Sequence, residues 1–130
     1  MTVQVAPLTG HALQAALDDL AALRITVFAA YPYLYAGSLD YERRYLAEFT
    51  ASPDAVLVAA RDGARIIGAA TASPLTAQDD YIREPFERCG IDQAQVLYFG
   101  ESVLLPEYRG QGIGHAFFDQ REAAARSWGA

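Results

Sequence analysis

The chain has 130 residues, 52% of them hydrophobic and 20% charged, a composition that suits one globular domain with a sizeable core and excludes a disordered chain. Its net charge of -6 and pI near 4.7 argue against a nucleic-acid partner held through phosphate contacts. The single cysteine, Cys89, cannot form an internal disulfide or by itself suggest a metal cluster, and reads as a partly buried structural thiol. No apolar run reaches membrane-spanning length, and the N-terminus lacks the basic start and apolar core of a signal peptide. The expected location is cytoplasmic, with no membrane partner.

Thr2 to Ala6 alternates and is ended by Pro7, which suits an opening strand. Thr9 then stands where it can cap a helix running to about Ala30. Leu13, Leu17, Leu20, Arg24 and Val27 fall on one stripe of that helix, widened by Leu23 and Phe28. Arg24 is the exception, and its stem is expected to lie along apolar surface with the head in solvent. The helix stops before Tyr31-Pro32-Tyr33-Leu34-Tyr35-Ala36-Gly37, because Pro32 disfavours helical geometry at Tyr31 and Gly37 permits a turn. Tyr31, Tyr33 and Tyr35 either cover the helix ends or form an aromatic wall of an acceptor pocket. Ser38 to Ala51 predicts a second amphipathic helix, with Glu42, Arg43, Arg44 and Glu48 as its solvated face.

Residues 55–60 and 65–72 read as two strands, with the Asp62-Gly63 hairpin signal between them. The first of the two is almost continuously apolar, which predicts a sheet covered on both faces. From Ser73 to Gln95 the chain turns polar. A helix beginning near Ala77 is plausible by pattern, with Pro85 at its start or breaking it. A connection of this length is a candidate lid or substrate wall.

Residues 96–105 form an apolar strand, followed by a turn started by Pro106 and a glycine-dense loop that opens into a helix ending near Trp128. A glycine loop between a strand and a helix N-terminus offers bare backbone N–H groups to an anion, and Gly110, Gly112 and Gly114 remove side chains that would hold a phosphate away. A dinucleotide fingerprint has the wrong glycine spacing and needs a later strand with an acidic residue. A P-loop needs a Lys-Ser/Thr end that is absent here, and a purely structural turn is the remaining alternative. The following helix carries Ile113, Phe117, Ala124 and Trp128 on one stripe and an i,i+4 pair of Glu122 with Arg126. The whole order is α/β, with an antiparallel hairpin inside it.

The run Leu104-Leu105-Pro106-Glu107-Tyr108-Arg109-Gly110-Gln111-Gly112-Ile113-Gly114 closely resembles the acetyl-CoA-binding signature of the GCN5-related N-acetyltransferases, the GNAT superfamily. The family pattern Arg/Gln-x-x-Gly-x-Gly/Ala is matched by Arg109, Gly112 and Gly114. Outside residues 96–128 the resemblance rests on the order of elements. It implies an acyl-CoA N-acyltransferase-like fold over residues 1–130, with a mixed, largely antiparallel sheet flanked by helices. It further implies transfer of acetyl from acetyl-CoA to a primary amine of a small molecule or peptide by direct attack.

By the same resemblance, the pyrophosphate of the coenzyme is held by the backbone of Arg109, Gly110, Gln111, Gly112, Ile113 and Gly114, at the positive end of the helix dipole. The Arg109 guanidinium either adds charge or braces the loop. Further coenzyme contacts fall at Val103 and Leu104, where a strand that splays from its neighbour leaves a backbone N–H to polarise the thioester carbonyl. His115 follows the loop and is a candidate to cover phosphate or adenine. Glu101, five residues before Pro106, is the first candidate to take the proton of the attacking amine. The alternative for Glu101 is a surface carboxylate paired with an arginine. Tyr98 is a weaker candidate, His11 and Glu107 read as surface residues, and Gly100 beside Glu101 marks a bulge or a close approach.

Family domains continue beyond this helix with further strands, which commonly supply one wall of the cleft and a tyrosine that protonates the departing thiolate. The chain stops at Trp128-Gly129-Ala130, so the resemblance implies a domain truncated after the motif helix, with its C-terminal strands missing. An unpaired edge at residues 96–105 would favour a homodimer. The second functional reading is a catalytically impaired module with a partial GNAT fold that binds coenzyme A or a protein.

Overall fold

The computed structural model describes residues 3–30, 36–52 and 54–129. Their order is β1 (Val3–Pro7), α1 (Gly10–Ala29), α2 (Leu39–Ala51), β2 (Val56–Asp62), β3 (Arg65–Pro74), α3 (Asp80–Arg88), β4 (Leu97–Leu104) and α4 (Ile113–Trp128). Single 3-10 turns lie at Leu75–Ala77, Gln93–Gln95 and Pro106–Tyr108. The strands form one open sheet in the order β1-β2-β3-β4, and all three pairings are antiparallel.

The central hairpin closes through Gly63 and Ala64, with Asp62 paired to Arg65. Gly63 sits at φ +62, a left-handed turn conformation that glycine adopts without a Cβ clash. Leu57, Val58, Ala59 and Ala60 are all buried, because helices cover both faces of the sheet. On one face, Ala69, Thr71, Glu101 and Val103 surround a small cavity with Leu20 and Arg24 of α1 and Leu46 of α2. On the other, Gly68 approaches α4 so closely that an added Cβ would lie 3.1 Å from the Phe117 ring. Leu20, Val58, Ile67 and Phe117 are fully buried, each worth about 1.5–3 kcal/mol of apolar transfer.

α1 buries Ala16, Leu20, Ala21, Leu23 and Val27, with Leu13, Leu17 and Phe28 partly buried against the core. Thr9 occupies the N-cap position, but its side chain makes no cap bond. The first turn is closed by the backbone alone, Leu13 N–H to Thr9 O at 3.4 Å. α2 is capped by Ser38, whose Oγ accepts from Tyr41 N–H at 3.2 Å.

Three expectations are corrected. Glu42 does not belong to a solvated face: it is 1% exposed, because α2 turns it toward the guanidinium of Arg24. Pro85 neither starts nor breaks α3 but sits inside it. It forfeits one backbone donor, while its own carbonyl still accepts from Cys89 N–H at 3.2 Å. Cys89 is exposed, since α3 has no buried residue and its C-terminal end faces solvent.

Candidate active site

The site is organised by a fault in the β3–β4 ladder. Ala70 pairs with Ser102 and Ala72 with Phe99, so Thr71 alone stands opposite both Gly100 and Glu101. This is a β-bulge. The displaced Glu101 N–H donates to Thr71 Oγ1 at 3.0 Å. An added Cβ at residue 100 would fall 2.7 Å from that hydroxyl oxygen, so a larger residue there must push the Thr71 side chain aside. The extra residue also reverses which side chains of β4 face each helix layer. Val103 and Glu101 face α1, whereas Phe99 meets Phe118 of α4 edge to face, with centroids 5.6 Å apart.

Glu101 enters a cluster drawn from three elements. Arg24 Nη1 donates to Glu101 Oε1 in a close ion pair, and Arg24 Nε donates to Glu42 Oε2 at 2.6 Å. Tyr45 Oη donates to the same Glu101 Oε1 at 3.1 Å, and its ring lies 4.4 Å from the guanidinium carbon. The expected solvent position of the Arg24 head is therefore corrected: stem and head are both enclosed. Burial by itself lowers the pKa of Arg24, but hydrogen bonds and charge from Glu42 and Glu101 outweigh it and hold the group above its ordinary value. Burial, and then the charge of Glu101, pushes the Tyr45 phenol up to about 12. One guanidinium faces two carboxylates, and Glu101 Oε2 has no partner among the described residues.

At the far end of β4, Leu105 N–H donates to Ile67 O at 3.0 Å. Alternation along an antiparallel strand then turns the backbone groups of Ser102 and Leu104 toward the open edge. Val103 is buried and backs this edge from the core, while Leu104 is partly buried. Tyr108 Oη donates to Asp62 Oδ2 at 2.5 Å, tying the turn after β4 to the β2–β3 hairpin. The phenol pKa rises, chiefly through that hydrogen bond. Arg109 Nη2 donates to Leu104 O at 3.3 Å, a contact that ties the loop to β4.

Beyond the turn the chain runs through two left-handed glycines, Gly110 at φ +78 and Gly112 at φ +82, and Gly112 caps α4. Arg109 N–H is used by Pro106 O and Ala116 N–H closes on Gly112 O. The amides between them have no carbonyl partner among the described residues, and those of residues 113–115 are the donors that the first turn of any helix leaves free. A Cβ built on Gly110, Gly112 or Gly114 would meet nothing within 4 Å, so the loop backbone is open to solvent. Such a cradle fits a pyrophosphate. His115 is exposed, with Nε2 3.7 Å from Asp119 Oδ2. Gln111 is exposed and Ile113 is buried under the loop. His11 and Glu107 are exposed, as expected, and Tyr98 is partly buried on β4. Tyr31, Tyr33 and Tyr35 lie outside the described residues.

The model of the acetyltransferase (GNAT) family matches residues 13–130. The chain belongs to this family. Among solved structures, the aminoglycoside antibiotic 6'-N-acetyltransferase AAC(6')-Ih of Acinetobacter baumannii superposes with a TM-score of 0.68 at 20% identity, over 98% of this chain and 74% of its own. AAC(6')-Iy, in complex with the bisubstrate analogue CoA-S-monomethyl-acetylneamine, gives 0.63 at 18% identity, over 99% and 72%. A ribosomal-protein-alanine N-acetyltransferase of Brucella melitensis biovar Abortus 2308 gives 0.61 at 17%, over 98% and 74%. At such identities the likeness establishes the acyltransferase fold, and the chain is shorter than these GNAT relatives. No curated protein matches it. No helix among the described residues is long and apolar enough to cross a membrane.

Sequence reasoning missed Glu42, Thr71 and Arg121 as parts of this site. Arg121 is 4% exposed and lies below the bulge on α4, with Nη1 donating to Thr71 O at 3.3 Å. The available signal was position: residue 121 falls on the apolar stripe of Ile113, Phe117, Ala124 and Trp128, where a charge requires an explanation.

Proposed function

We propose that the chain transfers the acetyl group of acetyl-CoA to a primary amine of a small molecule or peptide. The observation that carries this reading is the open, left-handed glycine loop capping α4, joined to a strand whose bulge presents a carboxylate. Acetyl-CoA supplies the acyl group as an activated thioester. The backbone of residues 109–114 would hold its pyrophosphate, with Arg109 keeping the loop against β4 and His115 at the rim. The outward N–H groups of Ser102 and Leu104 are donors along the edge, and Val103 supports them from behind.

Glu101 is the proposed base. Its Oε1 is occupied by Arg24 and Tyr45, which leaves Oε2 to take the proton of the attacking amine, directly or through water. Two carboxylates against one guanidinium make the surroundings formally negative, which favours a cationic acceptor. The relatives acting on aminoglycosides and on a ribosomal-protein alanine are compatible with such an amine, as are the tyrosines proposed for the acceptor wall, Tyr31, Tyr33 and Tyr35.

Isothermal titration of the folded protein with acetyl-CoA and desulfo-CoA tests the donor side, and absence of heat from both sinks the reading. A panel of amines with a thiol-detecting reagent tests turnover. Glu101→Gln is expected to lower turnover with coenzyme affinity unchanged, and an unaltered pH–rate profile removes Glu101 from the base role.

A second reading is a module that binds coenzyme A or a protein with impaired catalysis. The close ion pair with Arg24 favours it, because the carboxylate already has a structural role in fastening β4 to α1. Binding without turnover against the whole panel selects this reading.

A further inference from the structure

Among the described residues, Arg121 is a group whose presence stability does not explain. It is 4% exposed, no carboxylate lies within ion-pair distance among the described residues, and its Nε is buried without a hydrogen-bond partner. Its guanidinium stands 4.8 Å from the Phe99 ring and 5.2 Å from the Phe118 ring, contacts that recover part of the desolvation cost. Burial lowers its pKa. A buried cation with one orphaned donor is less favourable than an apolar side chain of the same length. What the guanidinium does hold is Thr71 O, at 3.3 Å. The hydroxyl of that same threonine receives the displaced Glu101 N–H at 3.0 Å. Thr71 is thus gripped from the α4 face by Arg121 and grips the bulge that presents Glu101 on the α1 face.

We propose that Arg121 is a positioning residue for Glu101, bracing the β4 bulge through Thr71 from the opposite side of the sheet. The proposal rests on the acetyltransfer reading for its kinetic consequence, but the brace itself does not need turnover to be seen. Arg121 lies eight residues into the helix that opens at the glycine loop, about 12 Å along its axis. One rigid element therefore spans the coenzyme cradle and the brace. Among the described residues, the ionisable groups facing Glu101 are Arg24 from α1 and Tyr45 from α2, with Glu42 of α2 behind Arg24. β3 contributes Thr71, which does not titrate, and none of these groups is altered by changing Arg121.

The test compares R121M and R121K with the parent chain. For R121M the expected result is a melting temperature equal to or above the parent, acetyl-CoA affinity within about twofold, and kcat/KM for the best amine of the panel down about tenfold or more. The acidic limb of its pH–rate profile should move, and R121K should recover part of the loss, since an ammonium can still donate to Thr71 O. In the unliganded protein, the backbone amide of Glu101, which donates to Thr71 Oγ1, should shift its 15N resonance and exchange faster with solvent in R121M. An unmoved Glu101 amide resonance with unchanged exchange in folded R121M overturns the proposal whatever the enzymology shows. So does a destabilised R121M whose activity per folded molecule equals the parent. A parent that acetylates no amine, alongside a shifted and faster-exchanging Glu101 amide in R121M, instead removes the acetyltransfer reading and leaves the brace standing.

Discussion

Arg24 Nε and Glu42 Oε2 lie 2.6 Å apart across the α1–α2 interface, with Glu42 only 1% exposed. This pair locks two helices together and, through the second nitrogen of Arg24, fastens Glu101 on β4. Removing one member of a buried ion pair typically costs roughly 3–5 kcal/mol, because the survivor stays buried without its counter-charge. Glu101 remains to partner Arg24, so Glu42→Gln is expected at the lower end, about 3 kcal/mol, by urea denaturation. A loss below about 1 kcal/mol would mean that the pair is open to water in solution.

The bulge leaves no room for a carbon at Gly100 unless Thr71 moves. A Cβ there meets Thr71 Oγ1 at 2.7 Å, so Gly100→Ala should destabilise by about 1–3 kcal/mol through overpacking. In Gly100→Ala with Thr71→Ala the clash partner is gone, and the double variant should be less destabilised than the sum of the singles. Strict additivity in that cycle would deny the contact.

Gly112 answers to two constraints that separate experimentally. Its φ of +82 makes Gly112→Ala cost about 1–2 kcal/mol of stability, although no atom within 4 Å opposes the methyl. Gly112→Glu adds a bulky negative charge beside the amides proposed for the pyrophosphate and should abolish coenzyme binding in calorimetry. Unchanged affinity in a folded Gly112→Glu protein would put the phosphate site elsewhere.

Tyr45 gives a prediction in pH. Its phenol is raised from 10.0 to about 12, by burial first and then by the charge of Glu101. Below pH 10 both folded and unfolded chains keep the proton, and the contribution to stability is whole. Between pH 10 and about 12 the unfolded chain loses a proton that the folded chain retains, so stability falls as pH rises. Absorbance titration of the phenolates should reveal a midpoint near 12 that is missing in Tyr45→Phe. The same variant should flatten the alkaline decline measured by urea unfolding, with the remaining slope including Tyr108, which also titrates late. Identical slopes in parent and variant would remove Tyr45 as the cause.

Much of this protein was legible in local pattern. The apolar stripe of α1, the two-residue hairpin after Asp62, the bulge-marking glycine beside Glu101, and the Arg109–Gly114 loop opening a helix all express constraints that act over a few residues. Backbone sterics, helix capping and strand alternation need no distant partner, and a linear chain displays them directly. The fates of the charged side chains were decided elsewhere. Arg24 and Glu42 are 18 residues apart and Arg24 and Glu101 are 77 apart, so nothing beside any of them in sequence announces the ion pair that buries Glu42 and draws in Arg24. Arg121 reaches a carbonyl 50 residues away and stands on a stripe that pattern alone assigns to apolar packing. Whether a charge can be buried depends on which counter-charge or carbonyl the completed sheet brings within hydrogen-bonding distance. That distance exists only after β3, β4 and the helices on both faces have closed around Thr71.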